Sequence, residues 1–494
     1  MGTTHSDRTG LIVLAITLVC SFFVHLAFMS MHPMYLDEAL YAKMVMEQQE
    51  HLTMVPTYLG YDVGWKPPLF YWVFSFLTRI TSALASNVDF IYKFPNIMLG
   101  MVNIALTYWI LRRRLDAELA CMAIPLYAFC ALFIYTNERV LLDPLTMVFI
   151  LGGICAYTAE ASYGKKRFLL GGMMLLLAIL TKSVVGLAVP AIAIAHLYQN
   201  ERKTLRNPWF LISLLVIPLG LGVHYFSMKP DMAKDIFFID IGGKLGAGNG
   251  MMEKIGGSFG GVFTFLNVLL VAAAVGFIKF WKEDYAMSVW LALGVFTFIG
   301  GSGMPWYSYV IVPAVVLFAA KSMQSDSNGK MRRDAFFVFL ILFVIAINLL
   351  ILCVWYFGTQ GGLNEAKLVG EFIAGKPDVM IVGTYGDASI VTAYKLTEEN
   401  VVGRAGDFGW VVIPAVMMNE TNMSDFVENY TTSKYTVNEV NFARLFWTSE
   451  IFRKKTGIEE FGYVVVTGTE HPDFSGYEKV YERKTVALYK KRCD

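Results

Sequence analysis

The sequence predicts a mostly α-helical, polytopic membrane bundle followed by a small α/β domain. Three observations predict it. The 494 residues are 56% hydrophobic and only 16% charged, with a mean hydropathy of +0.51, too apolar for a soluble chain of this size. Apolar segments suited to crossing a bilayer recur from residue 11 to residue 357, separated by short basic clusters. Beyond them the character changes: "DVMIVG", "GYVVVTG" and "TVALYK" read as short strands, with a helical stretch near 440–455. The expected domains are therefore 1–358 in the membrane and 359–494 outside it, soluble.

The first apolar run, "GLIVLAITLVCSFFVHLAFMS", lacks a small-residue cleavage site and precedes many others, so it reads as a retained helix. Further spans are expected at 94–111, 117–136, 142–160, 168–181, 184–199, 208–227, 260–281, 285–302, 306–322 and 335–357, about eleven with the first. The basic residues between them cluster at 112–114, 165–167, 202–206, 279–282 and 330–333, and clusters of this kind stay on the cytosolic side. With the N-terminus inside, all of them fall inside only if "PPLFYWVFSFLTRITSAL", 67–84, does not cross. That segment is expected to be a juxtamembrane or re-entrant helix on the outer side. The C-terminal part is then extracytoplasmic, where the sequons at Asn419, Asn422 and Asn429 would be usable.

Several function classes are disfavoured. A net charge of +1 without a basic stripe argues against nucleic acid, which needs clustered cations. The cysteines lie in apolar runs or, as Cys493, near the last residue, so no disulfide framework is visible. His51, His196 and His224 have no ligand spacing, so no metal site is supported. "GGKLGAGNG", 242–250, lacks the strand–turn–helix context of a phosphate loop and reads as a flexible loop. No internal repeat is visible.

Pooling the outer loops brings chemistry together. The first holds Asp37, Glu38, Tyr41 and Lys66, the second Glu138, Arg139 and Asp143, the third Lys182. The fourth, 228–259, mixes acids and lysines, and the fifth offers Trp306, Tyr307 and Tyr309. Ionisable groups beside membrane helix ends are costly and mark sites. This set suits a sugar on a polyprenyl phosphate, whose tail lies in lipid and whose phosphate lies at the interface. Cations would hold the phosphate and stabilise its growing charge, and a carboxylate would take the proton of an attacking hydroxyl. Plainer roles exist for each residue. Asp37 and Glu38 suit a helix's first turn, Asp143 a helix start, Lys66 an interface anchor, and Tyr307 and Tyr309 an aromatic belt. The competing function class is a transporter or flippase of lipid-linked sugars, but its repeats and midplane charges are not evident.

"YLDEALYA", "KPPLFYW", "RVLLDPLT" and "TKSVVGLAVP", in this order, resemble the signatures of GT-C fold membrane glycosyltransferases. The similar group is the dolichyl-phosphate-mannose–protein mannosyltransferase and lipid A aminoarabinose transferase superfamily. The resemblance covers roughly the first 200 residues and fades in the C-terminal part. It implies inverting transfer from a dolichyl or undecaprenyl phosphate sugar to a hydroxyl of a protein, lipid or glycan, on the outer or lumenal face. By that resemblance Asp37 is the catalytic acid with Glu38 beside it, and Asp143 is the second-loop acid. Lys66, Arg139 and Lys182 are the phosphate-binding cations, while Tyr41, Tyr307 and Tyr309 are candidate sugar or acceptor contacts. Two positions depart from the pattern. Ala39-Leu40-Tyr41 stands where a small residue, Arg and Tyr are usual, removing one cation, and Trp65 stands where a metal-holding Glu would precede the Lys-Pro lysine.

Overall fold

The computed structural model describes residues 5–32, 34, 37–58, 61–62, 66–227, 251–300, 305–323 and 341–356, with short pieces at 367–369, 372, 379–383, 411–414, 463–467, 477–483 and 486–492. They fall into two compact units. One comprises 1–28, 64–70 and 93–355, the other 29–63, 71–92 and 356–494.

The first unit is helical. It contains α1 (His5–Met29), most of α4 (Val88–Arg112), α5 (Ala117–Ala128), α6 (Ala131–Asn137), α7 (Asp143–Tyr157), α8 (Lys165–Lys182), α9 (Ala188–Asn200), α10 (Pro208–Leu214) and α11 (Val216–Phe226). After these come α12 (Met251–Phe280), α13 (Tyr285–Gly300), α14 (Val312–Ser322) and α15 (Ile341–Tyr356). On α1 the side chains of Leu11, Ile12, Ile16, Val19 and Phe23 are each more than half exposed. Such an uncovered apolar stripe is stable against lipid tails, not against water. α4 divides its faces in the same way: Met98, Val102 and Trp109 point outward, whereas Asn96, Asn103 and Thr107 are fully buried against protein.

Each expected span overlaps a helix, but the two expected at 168–181 and 184–199 fall within one stretch, Lys165–Asn200. Among the described residues, four helical stretches are long and apolar enough to cross a membrane, or five if α5 and α6 form one bent span. The remaining segments are apolar helices of 10–17 residues. α5 and α6 meet at 54° because Cys130 turns extended. The amide of Ala131, orphaned by that break, donates to Asn348 Oδ1 of α15 at 3.1 Å. α8 likewise stops at Lys182, and a 3-10 turn over Ser183–Leu187 leads into α9. α12 and α14 approach so closely that a Cβ at Gly276 would stand 1.9 Å from the Phe318 carbonyl oxygen.

The second unit contains α2 (Asp37–Glu50), the antiparallel pair β1 (Thr57–Tyr58) and β2 (Tyr61–Asp62), most of α3 (Leu69–Ser82) and a five-stranded sheet. Fourteen residues make α3 about 21 Å long, well short of a hydrocarbon core of roughly 30 Å. Its buried face, including Tyr71, Phe74, Ser75 and Thr78, is tied to the first loop. Gln49 donates to Thr78 Oγ1 at 2.7 Å, and Trp72 Nε1 to the Thr53 carbonyl at 2.8 Å. The sheet consists of β3 (Val379–Gly383), β4 (Val411–Pro414), β5 (Tyr463–Thr467), β6 (Tyr477–Arg483) and β7 (Val486–Lys491), in the order β4-β3-β5-β7-β6. β3 pairs parallel with β4 and β5, and β7 antiparallel with β5 and β6. β3, β5 and β7 match the three expected strands, while β4 and β6 are additional edge strands. The expected helix near 440–455, the sequons and most of the fourth outer loop lie outside the described residues.

Candidate active site

In the first unit the second outer loop is fastened to α4. Asn96 Nδ2 donates to the carbonyl of Arg139 and, at 2.9 Å, to that of Leu141. One helical repeat further on, Asn103 Nδ2 donates to the Pro144 carbonyl at 3.0 Å. These bonds fix the loop that carries Arg139 into the start of α7.

Asp143 is the first residue of α7 and Lys182 the last of α8. Packing of those two helices places Lys182 Nζ 2.5 Å from Asp143 Oδ1, with the side chains 8% and 3% exposed. The same ammonium lies 4.8 Å from the centroid of the Tyr307 ring. Attraction in such a pair roughly offsets the desolvation of its two charges, so the pair is better explained by a task than by stability. Ser183, next in the chain, has φ 47° and ψ −119°, a conformation costly for any residue with a Cβ. Its buried Oγ has no hydrogen-bond partner among the described residues. The Arg139 guanidinium stacks 4.0 Å over the Tyr135 ring, and Glu138 beside it is fully buried. Lys66 is half-buried at the turn leading into Pro67 and Pro68. Tyr309 is fully buried, and its hydroxyl meets the Nδ2 groups of Asn137 at 3.0 Å and Asn103 at 3.3 Å, linking it to α6 and α4.

The second unit positions the first-loop acids. Asp37 and Glu38 open α2, in the first turn where acids favour the helix dipole. Asp37 is half-buried and Glu38 only 1% exposed. His32 Nδ1 stands 3.9 Å from Glu38 Oε2, and its ring stacks on Tyr356 with centroids 4.9 Å apart. Tyr41 meets the edge of Tyr71 at 6.2 Å. Burial, assisted by the negative charge of Asp37, pushes the Tyr71 phenol well above its usual range and keeps it a neutral donor.

The structure thus brings Asp143, Lys182 and Tyr307 into contact, with Arg139 on the same fastened loop, and separately groups Asp37, Glu38 and Tyr41 on α2. The sequence reading missed Asn96, Asn103 and Asn137. Their signal was available, since amides inside apolar helices are costly unless partnered. Among the described residues, no three His, Cys, Asp or Glu side chains gather as metal ligands.

Comparison with known proteins bears on the fold and on the segment that carries these residues. The family model described as dolichyl-phosphate-mannose-protein mannosyltransferase matches residues 65–224, a stretch that includes Lys66, Arg139, Asp143 and Lys182 and begins after Asp37 and Glu38. ArnT from Cupriavidus metallidurans bound to undecaprenyl phosphate superposes with a TM-score of 0.59 at 14% identity, covering 97% of both chains. The chain therefore has the fold of the GT-C membrane glycosyltransferases. Within that class, it is similar to the undecaprenyl phosphate-alpha-4-amino-4-deoxy-L-arabinose arabinosyl transferase of Edwardsiella ictaluri, 24% identical over 215 residues. The enzyme of the same description from Erwinia tasmaniensis is 23% identical over 215 residues. Each alignment covers 41% of this chain and 38% of the relative, so the chain matches less than half the length of these curated proteins.

Proposed function

We propose that the protein is an inverting glycosyltransferase moving a sugar from a polyprenyl phosphate to an acceptor hydroxyl at the non-cytosolic membrane face. The observation that carries this reading is the buried contact of Lys182 with Asp143, both within the segment 65–224 matched by the mannosyltransferase family, beside the ring of Tyr307. An ammonium has three N–H donors. Asp143 takes one, orienting the group, and another serves a phosphate oxygen of the donor. Lys66 and Arg139 add charge to that phosphate, which turns more negative as its bond to the anomeric carbon breaks. Asp37 takes the proton from the acceptor hydroxyl as it attacks, and attack opposite the leaving phosphate inverts the centre. Glu38 supports the role of Asp37, while Tyr41 and Tyr307 offer rings to the sugar. In this reading about eleven spans leave the active face and residues 359–494 outside the cytosol, and the C-terminal domain shapes access of the acceptor.

A transfer assay with purified protein and a labelled polyprenyl-phosphate sugar tests this. Asp37→Asn is expected to lower transfer by at least about 100-fold with little change in thermal stability. Lys66→Ala is expected to weaken chiefly the use of donor. Undiminished transfer by Asp37→Asn would remove it as the base.

A further inference from the structure

α7 begins at Asp143 and α8 ends at Lys182, so the other ends of these helices form the opposite extremity of the first unit. There the last turns of α4, the end of α7 and the start of α8 enclose a cleft of about 350 Å³, within the size range of small-ligand sites. Trp109, Tyr163 and Leu170 give it apolar walls, and Arg113, Lys166 and Arg167 give it a cationic mouth.

Three observations indicate that it takes an anion with an apolar tail. α8 opens Lys165-Lys166-Arg167 with no acid in its first turn and no side-chain cap at Gly164. Cations there crowd the positive end of the helix dipole, where an anion is the stabilising partner. Arg167 is 5% exposed and engages Glu201 and the Ala159 carbonyl through its Nη atoms. Its buried Nε nevertheless has no hydrogen-bond partner among the described residues, and a buried donor left so costs about 1–3 kcal/mol. The buried-side carboxylates are already engaged: Glu201 accepts from Arg167, which holds its carboxyl below the usual range, and Asp284 pairs with Arg114 at 2.5 Å; Glu160, exposed at the rim, accepts from Ser162 Oγ at 3.3 Å. Arg113 and Lys166 are exposed, and among the described residues neither pairs with a carboxylate. Arg113 instead lies 5.3 Å over Trp109.

We propose that this cleft binds the phosphodiester of an anionic glycerophospholipid, with the acyl chains lying along the exposed apolar flanks of α4 and α8. Trp109 and Leu170, 58% and 46% exposed, form those flanks. The basic clusters at this end belong on the cytosolic side, the leaflet that carries the anionic lipids. Arg113 and Arg167 supply N–H donors suited to phosphate oxygens. The inference concerns binding and does not rest on the transferase reading.

Native mass spectrometry of the full chain tests it, comparing phosphatidylglycerol with phosphatidylcholine of identical acyl chains. The wild type is expected to retain phosphatidylglycerol about tenfold better, and Arg113→Gln with Lys166→Gln is expected to remove that preference. Leu170→Trp, which fills the cleft and leaves its charges, is expected to weaken phosphatidylglycerol binding as well. Equal melting of the variants in lipid-free detergent verifies their folding, and Leu170→Trp serves if the charge variant does not fold. Equal retention of both lipids by the wild type, or undiminished phosphatidylglycerol binding by the variants, overturns the proposal. Displacement of phosphatidylglycerol by equimolar undecaprenyl phosphate would also overturn it, assigning the cleft to a polyprenyl chain.

Discussion

Lys182 and Asp143 are separated by 39 positions in sequence, and their contact makes each dangerous to remove alone. Lys182→Ala leaves a carboxylate 3% exposed without its cation, a change expected to cost about 3–5 kcal/mol. Replacing both, as in Lys182→Met with Asp143→Leu, removes two desolvated charges together and should restore most of that stability while transfer stays lost. Thermal denaturation of the four proteins of this cycle checks the coupling, and additive losses would show that the two residues do not interact. At the next position, the positive φ of Ser183 makes Ser183→Gly tolerable but Ser183→Val destabilising by about 2 kcal/mol, readable in the same melting experiment. The separate residues were legible, because "RVLLDPLT" and "TKSVVGLAVP" carry family signatures. Their pairing was not, because it depends on how α7 packs against α8, and no spacing in the sequence encodes that contact.

Among the elements, α4 couples membrane packing to the site. Its lipid-facing residues and its buried amides alternate around the helix, so substitutions on the two faces should separate cleanly. Asn96→Leu keeps the volume but removes the amide that ties the Leu141 carbonyl and, beside the Leu141 N–H, the Arg139 carbonyl to α4, a loss of about 1–3 kcal/mol. It is expected to lower both the melting temperature and donor affinity, because the loop bearing Arg139 is released. Val102→Leu on the exposed face should change neither. Wild-type melting and transfer by Asn96→Leu would show that the loop is fixed by something else. Helix positions were readable from long apolar runs, which lipid and protein interiors both demand. The breaks at Cys130 and Ser183 were not readable, since neither residue is a proline or glycine and the partner of the first break, Asn348, is 217 residues away from Ala131. β6 escaped for a related reason. "YEKVYER" is an edge strand whose charges, such as the Lys479–Glu482 pair, suit solvent and blunt edge pairing but weaken the alternating pattern by which strands are recognised.

For the whole molecule the decisive question is which ends of the helices share a side of the membrane, and it turns on whether α3 crosses. At 14 residues, with Arg79 donating to the Gln49 carbonyl, it returns along the first loop. If it does not cross, about ten spans separate residue 52 from residue 493, and both lie on one side. About three spans separate residue 52 from residue 166, which puts residue 166 on the other side. Leu52, 70% exposed, can be replaced by cysteine in a background cleared of the native thiols, as can Lys166, while Cys493 can be retained alone. A membrane-impermeant maleimide applied to intact cells is expected to label positions 52 and 493 and to reach position 166 only after permeabilisation. Labelling of 52 and 493 from opposite sides would mean that α3 crosses or that a span is miscounted. Either result would turn the basic clusters at 112–114 and 165–167 or the C-terminal sheet to the wrong face. Labelling of 166 from outside would go further, because it would place Lys182 and Asp143 at the cytosolic end of the same helices, where a sugar donor presented outside could not reach them.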